Sequence, residues 1–88
     1  MVLRALTDGA FTGTANIAVP VGKLGGILIS TDGTNAATVN IYNKGKDRIF
    51  SLVTVSPFFA VAPILCEKEI TAIVSGTGAA VFLYEWMD

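Results

Sequence analysis

The alternation of apolar and polar residues along the chain has a period of two in several short segments, each bounded by turn residues. It is clearest at 37–42, where Ala37, Val39 and Ile41 alternate with polar or aromatic side chains. A period of two is typical of a β-strand with one face buried and the other in water. No segment has the i, i+3, i+4, i+7 spacing of an amphipathic helix. The pattern predicts an all-β fold, a small antiparallel β-sandwich or jelly roll of about seven short strands.

Residues 24–43 are the most regular stretch of the chain and predict two strands joined by a polar turn. Asp32 and Gly33 lie between the two apolar runs, and Asp-Gly in that position is a strong signal for a β-hairpin. Gly25 and Gly26 leave room in the first strand for a β-bulge or for the close approach of another backbone. We therefore expect a hairpin over 24–43 with an irregularity near its start.

Two later segments depart from simple alternation. Residues 48–55 are apolar on both faces, which predicts a central strand or a strand that lies under another chain. Residues 56–63 contain Pro57 and Pro63, and proline cannot donate a hydrogen bond to the ladder of a sheet. We therefore expect 56–63 to form an extended crossover rather than an ordinary central strand.

A weak internal repeat links the segments 30–42 and 75–84. Each contains a serine, then Gly-Thr, then two alanines, and each ends in a strand that carries a tyrosine. A duplication would produce this similarity, and so would two hairpins that use the same turn chemistry.

The length of 88 residues predicts a single folded domain. We assign 15–88 to the β-sandwich domain. Residues 1–14 are a short apolar segment followed by Asp, Gly and Thr residues that are typical of turns. We expect them to form an N-terminal arm or an edge strand.

The composition indicates more apolar surface than one small core can bury. Hydrophobic residues make up 52% of the chain and charged residues 15%, so the surplus should contact another copy, another protein or a membrane. A membrane is not expected, because prolines, serines and a threonine interrupt the longest uncharged run, 49–66. Residues 1–11 lack the apolar core of a signal peptide, so we expect a protein that is made without secretion.

The ionisable residues offer no recognisable catalytic or metal-binding set. The sequence has no histidine and one cysteine, Cys66, which removes His-dependent nucleophile activation and the commonest metal ligand. The acids lie mostly in turns, and the loop 32–35 has one carboxylate, too few for a calcium site. The Lys and Arg residues are scattered and the net charge is −1, so nucleic-acid binding is not expected. We expect no catalytic, cofactor-binding or metal-binding residues and no enzymatic activity.

The last predicted strand carries three large aromatic residues. If Val81 and Leu83 point into the core, then Phe82, Tyr84 and Trp86 point away from it. Tyrosine and tryptophan are enriched in protein interfaces, which favours a contact with another chain. Packing of a strand buried on both faces and stacking on a sugar are the alternatives. The residues predicted to form an oligomer or capsid interface are Phe82, Tyr84, Trp86, Tyr42, Phe58, Phe59, Leu3 and Leu6.

Two ordered motifs give the chain a resemblance to a known group of proteins. Residues 24–43 read apolar-G-G-I-x-I-S-x-x-G-T-x-A-A-T-V-x-I-Y-N, and 70–84 read I-x-x-x-V-S-G-T-G-A-A-V-x-L-Y, with a Pro/Phe-rich segment between them. In this order the chain resembles the small β-sandwich virion proteins of tailed bacteriophages, among them capsid decoration (cement) proteins. The similarity extends over residues 24–86.

The resemblance implies a structural function. It implies a homo-oligomer, with a homotrimer favoured, that binds the major capsid protein lattice and stabilises it. It also implies a location on the capsid surface of the virion after synthesis in the host cytoplasm. The alternative is a carbohydrate- or receptor-binding module on a phage head or tail fibre.

Overall fold

A computed structural model describes residues 2–44 and 47–87, and the described chain is all-β. Its eight strands are β1 (Val2–Ala5), β2 (Gly13–Ala18), β3 (Lys23–Ser30), β4 (Ala37–Asn43), β5 (Arg48–Thr54), β6 (Phe58–Leu65), β7 (Glu69–Ser75) and β8 (Ala80–Met87). None of the described residues belongs to a helix long and apolar enough to cross a membrane.

The strands form two antiparallel sheets of four strands each. The first sheet has the order β1-β8-β3-β6 and the second has the order β2-β7-β4-β5. The pairs β4–β5, β3–β6, β2–β7 and β1–β8 are nested in sequence, as in one long hairpin rolled up so that its strands fall into two sheets. This is the strand order of a jelly roll. The predicted small antiparallel β-sandwich is confirmed, with eight strands instead of about seven.

The core lies between the inner faces of the two sheets. Its members are aliphatic side chains that are almost completely buried, and they alternate with outward-facing residues along each strand. They are Ile17, Val19, Leu24, Ile27, Ile29, Ala37, Val39, Ile41, Ile70, Ala72, Val74, Ala79, Val81 and Leu83.

The predicted hairpin over 24–43 is wrong, because β3 belongs to the first sheet and β4 to the second. Their connection crosses from one sheet to the other, and Asp32 organises it. The Asp32 Oδ1 atom accepts hydrogen bonds from the backbone N–H groups of Thr34 and Asn35, at 2.8 and 2.7 Å. The Asp-Gly turn therefore correctly predicted that the chain reverses direction after β3. It did not determine whether β3 and β4 pair in one sheet or lie in two different sheets.

The two segments with the weak internal repeat are both connections of this kind, and they lie side by side. The loop between β7 and β8 also joins the two sheets. A Cβ atom placed on Gly78 would lie 2.8 Å from the Cβ atom of Asp32, and one on Gly76 would overlap the carbonyl oxygen of Ala36. The repeated Gly-Thr turns thus pack against each other at one end of the sandwich.

Strands β5 and β6 both lie at sheet edges. Of the two alternatives for 48–55, the central strand is wrong, because β5 buries Phe50 and Leu52 against the core but leaves Val53 64% exposed on the outer face. That β5 lies under another chain stays a prediction. The expectation of a crossover at 56–63 is also wrong, since residues 58–61 and 64–65 of β6 pair with β3 on either side of a register shift. Pro63 is accommodated there because an edge strand has one side that needs no hydrogen-bond donor.

Within the predicted segment 1–14, Val2–Ala5 form an edge strand, the second of the two alternatives, whereas Gly13 and Thr14 already belong to β2. Strand β1 pairs only with β8, in a register that places Arg4 opposite Glu85. The Glu85 side chain is 1% exposed, and its Oε2 atom accepts a hydrogen bond from Nη2 of Arg4 at 2.8 Å. Its Oε1 atom has no hydrogen-bond partner among the described residues. An ion pair with a buried carboxylate therefore attaches this strand to the sandwich.

The Asp32 loop predicts a dependence of stability on pH. Hydrogen bonds from the backbone and side chain of Asn35, and from the backbone of Thr34, lower the pKa of Asp32 below its ordinary value of 3.8. The ionised carboxylate therefore stabilises the fold above pH 3.8, and this contribution is lost as pH falls through the folded-state pKa. Urea unfolding between about pH 5 and pH 2 should show a loss of stability that is smaller in Asp32→Ala than in the wild type. Asp8→Ala, which removes an exposed acid outside this hydrogen-bond network, should retain the wild-type dependence. Equal slopes for all three proteins would contradict the prediction.

Candidate interaction surface

The outer face of the first sheet is apolar and rich in aromatic side chains. Along β8, Val81 and Leu83 are buried in the core while the residues that alternate with them point outward. The register places Leu28 of β3 between Phe82 of β8 and Phe59 of β6. We call this outer surface the aromatic face; its members are Leu3, Leu28, Phe59, Val61, Phe82, Tyr84 and Trp86.

The rings of the aromatic face pack on one another. Those of Phe82 and Tyr84 are stacked, with centroids 4.8 Å apart and planes 26° apart. The ring of Phe59 meets Tyr84 edge-on at 6.3 Å and 75°. Aromatic pairs of this kind contribute about 0.5–1.5 kcal/mol beyond their buried area. Phe59 remains 51% exposed and Val61 42% exposed, so the part of the aromatic face on β6 is accessible to a partner.

Gly25 and Gly26 of β3 allow neighbouring side chains of the aromatic face to pack directly on the β3 backbone. The register of β3 shifts between Leu24 and Gly26, which confirms the irregularity expected from the Gly-Gly pair. A Cβ atom on Gly25 would lie 2.8 Å from Cδ2 of Leu3 and 2.9 Å from Cβ of Trp86. The absence of side chains on β3 at this point lets the side chains of β1 and β8 approach its backbone.

The outer face of the second sheet is mostly polar. Thr71 donates a hydrogen bond from Oγ1 to Oδ1 of Asn16 at 2.7 Å. Ser51 donates one from Oγ to Oδ1 of Asn40, also at 2.7 Å. Such cross-strand pairs are typical of a sheet surface in contact with water. Val53 and Ile73 are also exposed on this sheet, so what distinguishes the first sheet is its cluster of packed aromatic side chains.

The structure brings together five of the eight predicted interface residues. These five, all on the aromatic face, are Leu3, Phe59, Phe82, Tyr84 and Trp86. Phe58 lies on the same edge strand as Phe59 but pairs with the buried Ile29, so its side chain belongs to the inner side of the sheet edge. Leu6 packs against the core.

Tyr42 is separated from the other predicted interface residues by the thickness of the sandwich. It lies on β4 of the second sheet, where its register partner is Thr71. Tyr42 was predicted for the same interface as Tyr84 and Trp86, but it lies on the outer face of the other sheet. Leu28 and Val61 were not predicted, because they are recognisable as members of the aromatic face only once the pairing of β3, β6 and β8 is known.

Two groups of the described residues are withdrawn from water, the Cys66 thiol in part and the Glu85 carboxylate almost completely. Within residues 2–44 and 47–87, no group of three or more His, Cys, Asp or Glu side chains is placed to hold a metal ion. The thiol of Cys66 is partly buried, and burial raises its pKa, which lowers the reactive thiolate fraction at neutral pH. The buried carboxylate of Glu85 is paired with Arg4.

Comparisons of the chain with protein-family models, with curated proteins and with solved structures find no match. Its function is therefore inferred from the fold, the surface and the residues themselves.

Proposed function

We propose that this protein is a structural protein of a phage virion, a capsid decoration protein that forms a homo-oligomer through the aromatic face. The observation that carries the proposal is the contrast between the two outer faces of one small sandwich. One is a polar surface with its own hydrogen bonds, such as that between Thr71 and Asn16. The other is lined by Phe82, Tyr84 and their neighbours.

An apolar face of this kind favours association. Burying a large apolar side chain that would otherwise be exposed contributes about 1.5–3 kcal/mol. Aromatic residues are enriched and charged residues depleted at the centre of protein interfaces, and the seven residues of the aromatic face include no charged one. A second copy of the chain is the partner we propose for it, since oligomers of identical subunits are the commonest assemblies.

The area of the aromatic face is smaller than that of a typical stable protein interface. Three strands of eight residues and one of four, about 4.8 Å apart and rising about 3.4 Å per residue, present roughly 450 Å². A stable interface usually buries about 800 Å² on each partner. We therefore expect the contact to extend over the β6 edge beside the face, where Phe58 is partly exposed and Leu65 is 75% exposed. Contacts through two adjoining surfaces suit a closed ring such as the proposed trimer.

The assignment to a virion rests on analogy. Residues 24–86 resemble the small β-sandwich virion proteins of tailed phages. Jelly rolls recur in capsid proteins, although they also occur in lectins and cupins, so the fold by itself does not determine the function. On this proposal the oligomer binds the major capsid protein on the capsid surface and stabilises the lattice. The chain then acts by contact, with no enzymatic step.

Phe82→Asp is the direct test of the aromatic face. Sedimentation velocity should find the wild-type protein as an oligomer and this variant as a folded monomer, because burying an unpaired carboxylate in an interface is strongly unfavourable. Ile73→Asp is the matched control, since it makes the same kind of change on the outer face of the other sheet. It should remain an oligomer. Circular dichroism would establish that both variants fold.

Binding to capsids tests the second half of the proposal. Purified wild-type protein should cosediment with phage capsids that lack their decoration protein and raise the temperature at which those capsids open. Phe82→Asp should bind more weakly, because a single copy loses the avidity of the oligomer. A wild-type protein that is monomeric and does not cosediment with capsids would contradict the proposal.

The structure narrows the sugar-binding alternative. Tyr42 lies on the opposite sheet from Tyr84 and Trp86, so these three aromatic side chains do not form one platform on which a sugar could stack.

A further inference from the structure

The first sheet ends in a free edge on each side. Within residues 2–44 and 47–87, β1 pairs with β8 alone and β6 pairs with β3 alone. The outer N–H and C=O groups of an edge strand have no partner in the ladder, so a strand from another chain can pair with them. Both edges belong to the sheet that carries the aromatic face, so a strand added at either edge would enlarge that face.

Strands β1 and β6 run in opposite directions across the sheet. Strand β1 is antiparallel to β8, β8 is antiparallel to β3, and β3 is antiparallel to β6, so three reversals separate the two edges. When the β6 edge of one copy meets the β1 edge of a second copy in the same orientation, the two strands are therefore antiparallel. Such a contact continues the pattern of strand pairing that already holds the sheet together.

The accessible part of β6 has the same length as β1. Residues 58–61 pair with β3 without interruption, and they are followed by Pro63 and by a register shift. An edge proline and a bulge both hinder the addition of a further strand. An incoming strand is thus limited to the four residues 58–61, and β1 also has four residues.

The charges of the two strands also permit pairing. Edge strands of soluble proteins are commonly protected by charged side chains, above all lysine, but β6 has no charged residue. The charged residue of β1 is Arg4, and it forms an ion pair with Glu85 of its own chain. Pairing of β6 with β1 therefore brings no like charges together.

The aromatic faces of two copies adjoin when such a contact keeps the outward residues of both strands on one side. The outward residues of β6 are Phe59 and Val61, and both are partly exposed in the single chain. Those of β1 are Leu3 and Ala5, which lie opposite outward residues of β8. The contact covers apolar side chains of β6 in addition to pairing backbone groups.

We infer that β6 of one copy pairs with β1 of the next, so that the first sheets of neighbouring copies form one continuous antiparallel sheet. The inference rests on the proposed homo-oligomer and specifies which strands meet in it. Because the contact joins two different edges, it is heterologous, and a heterologous contact generates a ring when the rotation between copies closes. The proposed trimer is then a ring of three first sheets with adjoining aromatic faces.

Cysteine cross-linking tests which strands meet. Three double variants, each in a Cys66→Ala background, are Leu3→Cys with Phe59→Cys, Ala5→Cys with Phe59→Cys, and Ala5→Cys with Val61→Cys. Together they cover the registers in which outward residues of β1 lie opposite outward residues of 58–61. Within one chain the two edges are about 14 Å apart, three strand spacings, so a disulfide inside the chain cannot form.

Oxidation with copper phenanthroline should give covalent species of two and three chains from at least one double variant. Each single-cysteine variant should remain a single chain, because a heterologous contact does not place a residue beside its own copy. A covalent dimer from Phe59→Cys or Val61→Cys alone would indicate a symmetric pairing of two β6 strands and would overturn the inference. Double variants that are oligomeric in sedimentation and form no cross-link would overturn it equally.

Hydrogen exchange of the wild-type oligomer is a second measurement, and it does not depend on the folding of a variant. The outward amides of β1 and of 58–61 should exchange at least about tenfold more slowly than those of β2 and β5, the edges of the second sheet. Equal exchange at all four edges in an oligomer would reject the strand pairing and leave the aromatic face as the contact. A wild-type protein that is monomeric would instead reject the proposed function.

Discussion

Gly76→Ala is expected to lower the free energy of unfolding by about 4 kcal/mol, because two unfavourable terms of about 1–3 kcal/mol each act at one position. Gly76 has a φ of +116°, which residues with a side chain rarely adopt. A Cβ atom there would also overlap the carbonyl oxygen of Ala36 and lie 3.3 Å from Cα of Ala37. Both neighbours are backbone atoms, so the loops between the sheets would have to separate. Urea unfolding monitored by tryptophan fluorescence measures the loss.

Gly33→Ala separates the two causes. Gly33 has a φ of +84°, but no atom lies within 4 Å of the position of a Cβ. This variant should lose only the conformational term, about 1–2 kcal/mol. If Gly33→Ala and Gly76→Ala were equally destabilised, the close packing of the two loops would not contribute and the prediction would fail.

Arg4→Ala is expected to destabilise the protein by about 3 kcal/mol, because it leaves the carboxylate of Glu85 buried without its partner. The Arg4 side chain is 54% exposed whereas that of Glu85 is 1% exposed. Solvation of the arginine therefore keeps the loss at the lower end of the range for buried ion pairs. The variant should also release β1, whose other strand edge is unpaired. Hydrogen exchange of the β1 amides would measure that release.

Glu85→Gln completes a double-mutant cycle with Arg4→Ala. Removing the charge from the buried group should recover most of the stability lost in Arg4→Ala, so the double variant should be more stable than that single variant. Additive losses in the cycle would show that the ion pair contributes nothing and that Arg4 acts only through its apolar stem.

The two outer faces assign different roles to the two sheets. The first sheet carries the stacked rings of Phe82 and Tyr84 and is the proposed contact between copies. The second sheet carries hydrogen-bonded Asn, Ser and Thr pairs. A particle assembled through the first sheet would present the second to its surroundings.

Much of the aromatic face was predictable from alternation alone. Val81 and Leu83 are completely buried, and the outward direction of Phe82, Tyr84 and Trp86 is confirmed by the burial pattern along β8. Their role in an interface stays a prediction. Leu28 and Val61 could not be assigned to the same face, because they come from strands whose neighbours in the sheet are distant in sequence.

Alternation along the chain was enough to establish an all-β sandwich and the inward face of its most regular strands. Ile27 and Ile29 of β3, like Val39 and Ile41 of β4, are buried as their period of two requires. Turn residues and prolines marked where strands end and which positions suit an edge. Strand ends and the inward or outward direction of side chains depend only on the backbone of a single strand. They can therefore be predicted from the local sequence of that strand.

Which strands are neighbours was decided only by the tertiary structure. After a turn, the second strand can pair with the first in the same sheet or cross to the opposite sheet. Both arrangements bury the same alternating residues, so the pattern of residues 24–43 does not distinguish them. Here the crossing places β3 and β4 in different sheets, moves Tyr42 away from Tyr84, and brings Phe59 to Tyr84 across β3. Pairing between strands distant in sequence thus created the aromatic face, from strands whose local patterns of apolar and polar residues are alike.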